Sequence, residues 1–265
     1  MPLPPDRAAR RLTFNEVAEL YDRARPGYPA ELFDDLVSLA GLTPGSRVVE
    51  IGCGTGQATR SLAERGLDVT CIELGESMAS VARDRLAAFP NVWIVRAAFE
   101  DWEPETAGFD AVVAFTSFHW VDEAARFEKP ARLLRPGGHL AATITRPVTL
   151  PDGDTFFADA QEDYDAVVPD PDNRAPPRPD EWVDMSAEFD GSGRFEPAVV
   201  RRYVWERDYT ADEYLAVMDT YSANRVLEPD VRTALFERIH RRIESQPGGT
   251  VRPAYLNVLH VARRS

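Results

Sequence analysis

The sequence predicts an α/β domain built on an open, mostly parallel sheet, and three observations carry that reading. Short β-branched runs alternate with helix-forming segments from residue 47 to 145, the pattern of strands joined by crossover helices. One run, Arg47 to Ile51, passes into three alternate glycines and then a helix. That unit forms a ligand crevice at a sheet edge. Two more strand-like segments lie beyond residue 198 with helices between them, which completes a seven-stranded sheet whose last strand is antiparallel.

With 265 residues, the chain suits one domain with a modest cap. The expected division is an N-terminal lid and ligand-binding core over 1–145, a substrate-side insertion over 146–198, and the end of the sheet with a helical cap over 199–265. The formal net charge is −14, from 44 acidic and 30 basic residues. Nucleic acid and anionic membrane both demand a basic face, so this balance speaks against them as partners. No apolar run reaches bilayer length and Met1 to Arg11 lacks a hydrophobic signal region, so a soluble, cytoplasmic protein is expected. Cys53 and Cys71 have no metal-like spacing and read as buried thiols.

In order along the chain, Leu12 to Tyr28 carries Phe14, Val17, Ala18 and Tyr21 at helical spacing. Such a segment either packs on the core or closes over a site. Ala30 to Ala40 is an amphipathic helix set between Pro29 and Gly41. After the strand at Arg47 to Ile51 come Gly52, Gly54 and Gly56, then a helix over Ala58 to Arg65 with Gly66 at its cap. Glycine serves here because a side chain would hold the backbone away from a ligand. Glu50 stands two residues before the first glycine; its carboxylate would repel a pyrophosphate and suits an ammonium or a sulfonium. Asp68 to Leu74 is the second strand, with Glu73 at its carboxyl end, where an acid can accept both hydroxyls of a ribose. Ser77 to Phe89 is a helix, Val92 to Arg96 the third strand, and Phe109 to Phe115 the fourth. The fourth delivers Thr116-Ser117-Phe118-His119-Trp120 to the carboxyl edge of the sheet.

Glu123 to Leu134 reads as one helix, stopped by Arg135-Pro136-Gly137-Gly138 before a fifth strand over His139 to Thr145. From Pro147 to about Pro197, prolines and aspartates crowd among aromatic residues. That composition predicts a substrate-side insertion with some helix around Thr155 to Val167. Val199 to Trp205 is strand-like. Thr210 and Glu213 form a capping box for the next helix, another helix runs from Pro229 to about Ile243, and Val251 to Val261 is the last strand.

The sequence Glu50-x-Gly52-x-Gly54-x-Gly56, the strand-end Glu73 and the turn Leu134-Arg135-Pro136-Gly137-Gly138 together resemble the class I S-adenosylmethionine-dependent methyltransferases. The resemblance covers residues 12 to 145 well and the last sixty or so more weakly. Phe118-His119-Trp120 is similar to small-molecule enzymes of that class, including the trans-aconitate methyltransferase group. Tyr21-Asp22-x-x-Arg25-Pro26-x-Tyr28 resembles their N-terminal lid. The resemblance implies a Rossmann-like fold, S-adenosylmethionine as cofactor, and O-, N- or C-methylation of a small-molecule acceptor by a monomer or homodimer. Tyr21 and Arg25 would reach the donor's methionine carboxylate, which the planar fork of an arginine matches. Glu50, Gly52, Gly54, Gly56, Glu73, Leu74, Met78, Ala98, Phe99 and Phe115 would form the rest of the cofactor site. Met78 either packs on the adenine or is plain core. Many relatives carry an aspartate where Ala98 stands, so adenine recognition would fall to backbone groups near Ala98 and Phe99, or to Glu100 or Asp101.

Tyr28, Phe118, Trp120, Tyr221 and Arg225 would face the acceptor. His119 is the candidate general base for a phenol or amine, since its ordinary pKa lies near neutrality; it could equally pack beside the donor. A carboxylate acceptor, as in the trans-aconitate type, needs no base. No carboxylate cluster resembles the magnesium site of catechol enzymes, so no metal is expected. An Asn/Asp-Pro-Pro-Tyr motif is absent after the fourth strand, which argues against base or glutamine substrates. A nicotinamide dehydrogenase would show Gly-x-Gly-x-x-Gly instead of this spacing. A methyltransferase-fold protein that binds the cofactor and does other chemistry, a cyclase or an accessory protein, would carry the same loop.

Overall fold

The computed structural model describes residues 13–168 and 174–265. The leader reading of Met1 to Arg11, the start of the first helical segment at Leu12, and residues 169–173 of the proline-rich stretch lie outside them. Nine strands are described: β1 Arg47–Ile51, β2 Asp68–Glu73, β3 Val92–Arg96, β4 Phe109–Phe115, β5 Leu134–Val148, β6 Val199–Glu206, β7 Tyr209–Thr210, β8 Thr250–Val251 and β9 Ala254–Arg263. Seven of them form one sheet in the order β3-β2-β1-β4-β5-β9-β6, while β7 and β8 pair as a separate antiparallel ladder. β1 pairs in parallel with β2 and β4, β2 with β3, and β4 with β5. The last strand runs antiparallel, as the sequence predicts, and lies between β5 and β6.

β1 shows why the sheet forms here. It is central, so both of its faces are covered and four of its five residues are buried. Val48 faces a core of Leu32, Phe33, Leu36, Leu62, Val69 and Leu86. Val49 and Ile51 face another, with Ile72, Phe109, Leu140 and Phe189. The period-two alternation of a strand thus supplies two separate cores.

Three helical segments differ from the sequence expectation. The helix expected over Glu123 to Leu134 is two, Glu123–Arg126 and Glu128–Leu133. Pro130 explains the break, because its ring excludes the carbonyl of residue 126 that a continuous helix would place against it. The helix after β2 covers Glu76–Leu86 and stops short of Phe89, the residue before Pro90, which is biased away from helical angles. In the insertion, helix lies at Phe156–Asp159 and Gln161–Val167, and Ser186–Ser192 adds a turn that the sequence did not signal. β5 also begins at Leu134 and not His139. Leu134 pairs with Phe109 ahead of a register shift, and pairing resumes at Ala111 with His139. Gly138 allows that passage: a Cβ there would lie 3.0 Å from the Phe109 carbonyl oxygen and 3.1 Å from that of Asp110.

The chain divides into two compact units. The larger comprises residues 26–145, 184–203 and 257–265 and holds both cores just described. The other comprises, among the described residues, 13–25, 146–168, 174–183 and 204–256. Its own core joins Phe156, Tyr214, Val217, Met218, Leu235, Ile239 and Ile243. Helix Ala211–Asp219 starts on the expected capping box: the Thr210 hydroxyl accepts from the Glu213 N–H, and the Glu213 carboxylate accepts from the Thr210 N–H at 2.9 Å. Buried Asp163 takes Arg238 at 3.2 Å and also Arg242, which ties the insertion to helix Pro229–Glu244.

Candidate functional site

In the larger unit the carboxyl ends of β1, β2 and β4 bring together the glycine loop, Glu73 and the segment after Phe115. Gly52, Gly54 and Gly56 all have positive φ, at 64°, 58° and 84°. Their roles differ. Gly56 is buried, and a Cβ there would meet Leu86 Cδ1 at 2.6 Å, so it lets helix Glu76–Leu86 pack close while starting helix Gln57–Ala63 in the left-handed region. Gly52 and Gly54 are half-exposed. A Cβ at Gly52 would lie 2.9 Å from Ser117 Cβ, and the Ser117 hydroxyl donates to the Ile51 carbonyl.

Glu73 organises this edge. One carboxylate oxygen accepts from the Gly54 N–H at 2.9 Å and the other from the Gly75 N–H at 2.8 Å. The strand-end acid therefore holds the loop, a role its sequence position did not reveal. Glu50 is placed differently. It is buried with the Thr59 hydroxyl donating to it at 2.7 Å and the Cys71 thiol at 3.8 Å. Burial pushes its pKa up from 4.5 to about 7, against the lowering effect of those two donors. Cys53 and Cys71 are both free and buried, as expected. The hydrogen bond that the Cys53 thiol donates to Cys71, followed by burial, raises the Cys53 pKa well above its usual value.

Met78 and Phe99 are buried, Leu74 and Ala98 half-buried. The Ala98 carbonyl accepts from the N–H groups of Asp101 and Trp102, and Lys129 Nζ lies 5.4 Å from the centre of the Phe99 ring. Phe115 is buried against Phe33 and Tyr28, each with ring centres 5.3 Å away. Phe118 is buried between Phe127 at 5.3 Å and Phe189 at 6.1 Å. His119 and Trp120 are half-buried with ring centres 4.8 Å apart.

Two features escaped the sequence. Thr116, immediately after β4, has φ 54°, which is strained for a β-branched residue. Its hydroxyl is 3.1 Å from the Tyr28 hydroxyl and 3.2 Å from that of Thr145, and Thr145 accepts from Asn257 at 2.7 Å. Local patterning carries no sign of a chain that joins residues 28, 116, 145 and 257. The second is the Thr55 hydroxyl in the glycine loop, which is buried without a partner.

In the other unit, the Arg25 guanidinium donates from Nε to the Thr220 hydroxyl at 2.7 Å and from a terminal nitrogen to the Thr220 carbonyl at 3.2 Å. It lies over the rings of Tyr21 at 5.1 Å and Tyr221 at 4.3 Å. Arg225 pairs with Glu16 at 2.7 Å and Asp219 at 3.2 Å. The structure thus groups Tyr21, Arg25 and Tyr221 and binds Arg225 into an ion-paired cluster.

The residues present fit an adenosyl group. Half-open left-handed glycines leave backbone exposed, a carboxylate stands at the end of β2, and a buried loop hydroxyl lacks a partner. The sheet order, with its last strand inserted antiparallel, is that of the Rossmann-like methyltransferase fold. Residues 48–138 match the family model described as a methyltransferase domain.

A Mycobacterium bovis protein described as an uncharacterized methyltransferase is 38% identical over 129 residues, 49% of this chain and 50% of that one. The chain thus spans about half the length of the curated relatives it matches. Among solved structures, a candidate type II methyltransferase of Anaeromyxobacter dehalogenans superposes with a TM-score of 0.60 at 22% identity, covering 90% of this chain and 97% of that one. A Haemonchus contortus phosphoethanolamine N-methyltransferase, solved with phosphomonomethylethanolamine and S-adenosylhomocysteine, has a TM-score of 0.52 at 16% identity, covering 94% of this chain and 57% of that one. No helix among the described residues is long and apolar enough to cross a membrane.

Proposed function

We propose that this protein methylates a small organic acceptor with S-adenosylmethionine as donor. The observation that carries the reading is the Glu73 carboxylate, fixed between the N–H groups of Gly54 and Gly75 within the methyltransferase domain. S-adenosylhomocysteine in the Haemonchus contortus structure supports the choice of donor, and its phosphomonomethylethanolamine ligand supports a small acceptor.

When bound, S-adenosylmethionine supplies a methyl group already activated on a sulfonium. The protein's work is then alignment and exclusion of water. Glu73 accepts the ribose hydroxyls, and the backbone at Gly52 and Gly54 approaches the donor because no side chain intervenes. Leu74, Met78, Phe99 and Phe115 supply apolar surface, and backbone groups at Ala98 read the adenine edge. Glu50 contributes negative charge once ionised. Tyr28, Phe118 and Trp120 shape the acceptor side. His119 removes the acceptor's proton where the acceptor is a phenol or amine.

Calorimetric titration of S-adenosylhomocysteine tests the donor assignment. Saturable binding to the wild type, lost in folded Gly54→Val, is expected. Absence of binding to verified folded wild type would refute it. Incubation with methyl-labelled S-adenosylmethionine and a metabolite extract then tests transfer: the product should gain one CH2, whereas a cyclase or isomerase product would not.

A further inference from the structure

Lys129 is the only lysine among the 30 lysine and arginine residues of the chain. Among the described residues it is also the only one of them that is buried, with 4% of its surface exposed. It lies in helix Glu128–Leu133, within the larger unit. Its Nζ donates to the Glu100 carbonyl at 2.9 Å and to a Glu103 carboxylate oxygen at 3.3 Å, and stands 5.4 Å from the centre of the Phe99 ring. These partners all belong to residues 99–103, the stretch that follows β3. An ammonium is a compact charge with three donors, whereas a guanidinium is a broad planar fork. The compact group suits a space bounded by a carbonyl, a carboxylate and a ring face.

That stretch starts at the carboxyl edge of the sheet. Its approach is fixed from β2, because the Ala97 N–H donates to the Glu73 carbonyl at 3.0 Å. The chain then turns, with the Asp101 and Trp102 N–H groups both donating to the Ala98 carbonyl. Phe99 is buried with Val49, Ile51 and Ile72, and the Glu100 carboxylate accepts from the Asp122 N–H at 3.1 Å. Lys129 completes the set by holding the Glu100 carbonyl. A buried aliphatic side chain would fill the same space without the desolvation cost of an ammonium. Packing alone therefore gives this position no reason to be a cation. A donor to the Glu100 carbonyl is what the lysine adds.

From this geometry we infer that Lys129 is a positioning residue for recognition of the donor's adenine, an inference that rests on the methyl-transfer reading. Ala98 brings no polar side-chain atom, so the base edge is met by main-chain groups of the turn. Lys129 sets the direction of those groups without touching the base. It therefore governs which base is accepted, and not only how tightly the donor binds.

The test compares S-adenosylhomocysteine with S-inosylhomocysteine, which differs from it only at the base edge: a carbonyl replaces the amino group and the neighbouring ring nitrogen carries a proton. By calorimetry the wild type should prefer S-adenosylhomocysteine by about a hundredfold, the effect of two mismatched edge positions. Lys129→Met, of similar length and without a donor, should narrow that preference to about tenfold or less. Glu103→Gln alters only the exposed partner and should leave the preference unchanged. An equal loss of affinity for both ligands in Lys129→Met would mark the lysine as a structural tie and overturn the inference. So would an unchanged preference.

The wild type supplies a second readout, which decides the matter even where Lys129→Met does not fold. With a heavy nitrogen isotope at lysine Nζ, the sole lysine gives one side-chain ammonium signal in a magnetic resonance spectrum. Adenosine and S-adenosylhomocysteine should both shift that signal saturably, whereas methionine, which has no base, should not. A signal unmoved at saturating S-adenosylhomocysteine would overturn the inference and leave the methyl-transfer reading intact. Failure of S-adenosylhomocysteine to bind the folded wild type would instead sink the methyl-transfer reading, and this inference with it.

Discussion

Glu50 makes the stability of this fold depend on pH in a direction opposite to that of an ion-paired carboxylate. Its pKa in the folded chain is about 7 against an ordinary 4.5, so between those values the folded state holds a proton that the unfolded chain has released. Stability rises with pH only where the unfolded state binds more protons; here it binds fewer, so the Glu50 contribution falls as pH rises. Below 4.5 both states are protonated and the contribution is complete; above 7 it is gone. A shift from 4.5 to about 7 corresponds to about 3.4 kcal/mol at 1.36 kcal/mol per unit. About 2.5 kcal/mol of this falls between pH 5 and 8.5, a range that stays above the pI of about 4.8.

The Glu50→Gln variant keeps an acceptor for the Thr59 hydroxyl and cannot ionise. Urea unfolding of both proteins at several pH values gives the stability difference directly, and titrations common to the two cancel. The advantage of the wild type over Glu50→Gln should shrink by about 2.5 kcal/mol from pH 5 to 8.5. A difference that stays constant, or grows with pH, would refute the claim that burial outweighs the two hydrogen bonds.

Four further outcomes follow. If ionised Glu50 serves the sulfonium, the affinity of S-adenosylmethionine relative to neutral S-adenosylhomocysteine should rise through pH 7; parallel calorimetric profiles would remove Glu50 from the donor site. Gly52→Ala should cost about 2–3 kcal/mol and Gly56→Ala about 1–2 kcal/mol in urea unfolding, although the built contact at Gly56 is shorter. Leu86 Cδ1 can swing aside, whereas Ser117 is tied to Ile51, so the reverse order would contradict this reasoning. A double-mutant cycle of Tyr28→Phe and Thr116→Val should give a coupling of about 0.5–1.5 kcal/mol, and zero coupling would dissolve the hydroxyl chain. Asp163→Asn should lower stability by about 3 kcal/mol, the low end for a broken buried pair because both arginines reach water; a change below half that would deny the ion pair its structural role.

Fold and site were legible to different depths. The strands from 47 to 115 could be read to within one residue, because buried parallel strands are short, β-branched and bounded by turn residues. The early start of β5 could not, since Arg135-Pro136-Gly137-Gly138 has turn composition and is drawn into the strand only by pairing across the Phe109/Ala111 register shift. Glu73 was found by its strand-end position, but its bonds to Gly54 and Gly75 depend on loop geometry that composition does not encode. Thr116 lay inside a quoted pentad and received no role. Its partners at 28, 145 and 257 are set by the sheet, where β4 pairs with β5 and β5 neighbours β9.

The glycine loop joins these threads energetically. Left-handed backbone at Gly52, Gly54 and Gly56 is open to many conformations in the unfolded chain, so fixing it loses more entropy than fixing other residues. Glu73 offsets part of that loss by accepting two charge-assisted N–H bonds, one from the loop and one from the turn after β2. Because those bonds exist before any ligand arrives, the loop's ordering is charged to folding rather than to binding. A Glu73→Gln variant, with one acceptor oxygen in place of two, should therefore lose affinity for S-adenosylhomocysteine with a more unfavourable binding entropy as the loop orders on the ligand. If only the binding enthalpy changed, Glu73 would act as a ribose contact alone and the loop would owe its shape to the glycines.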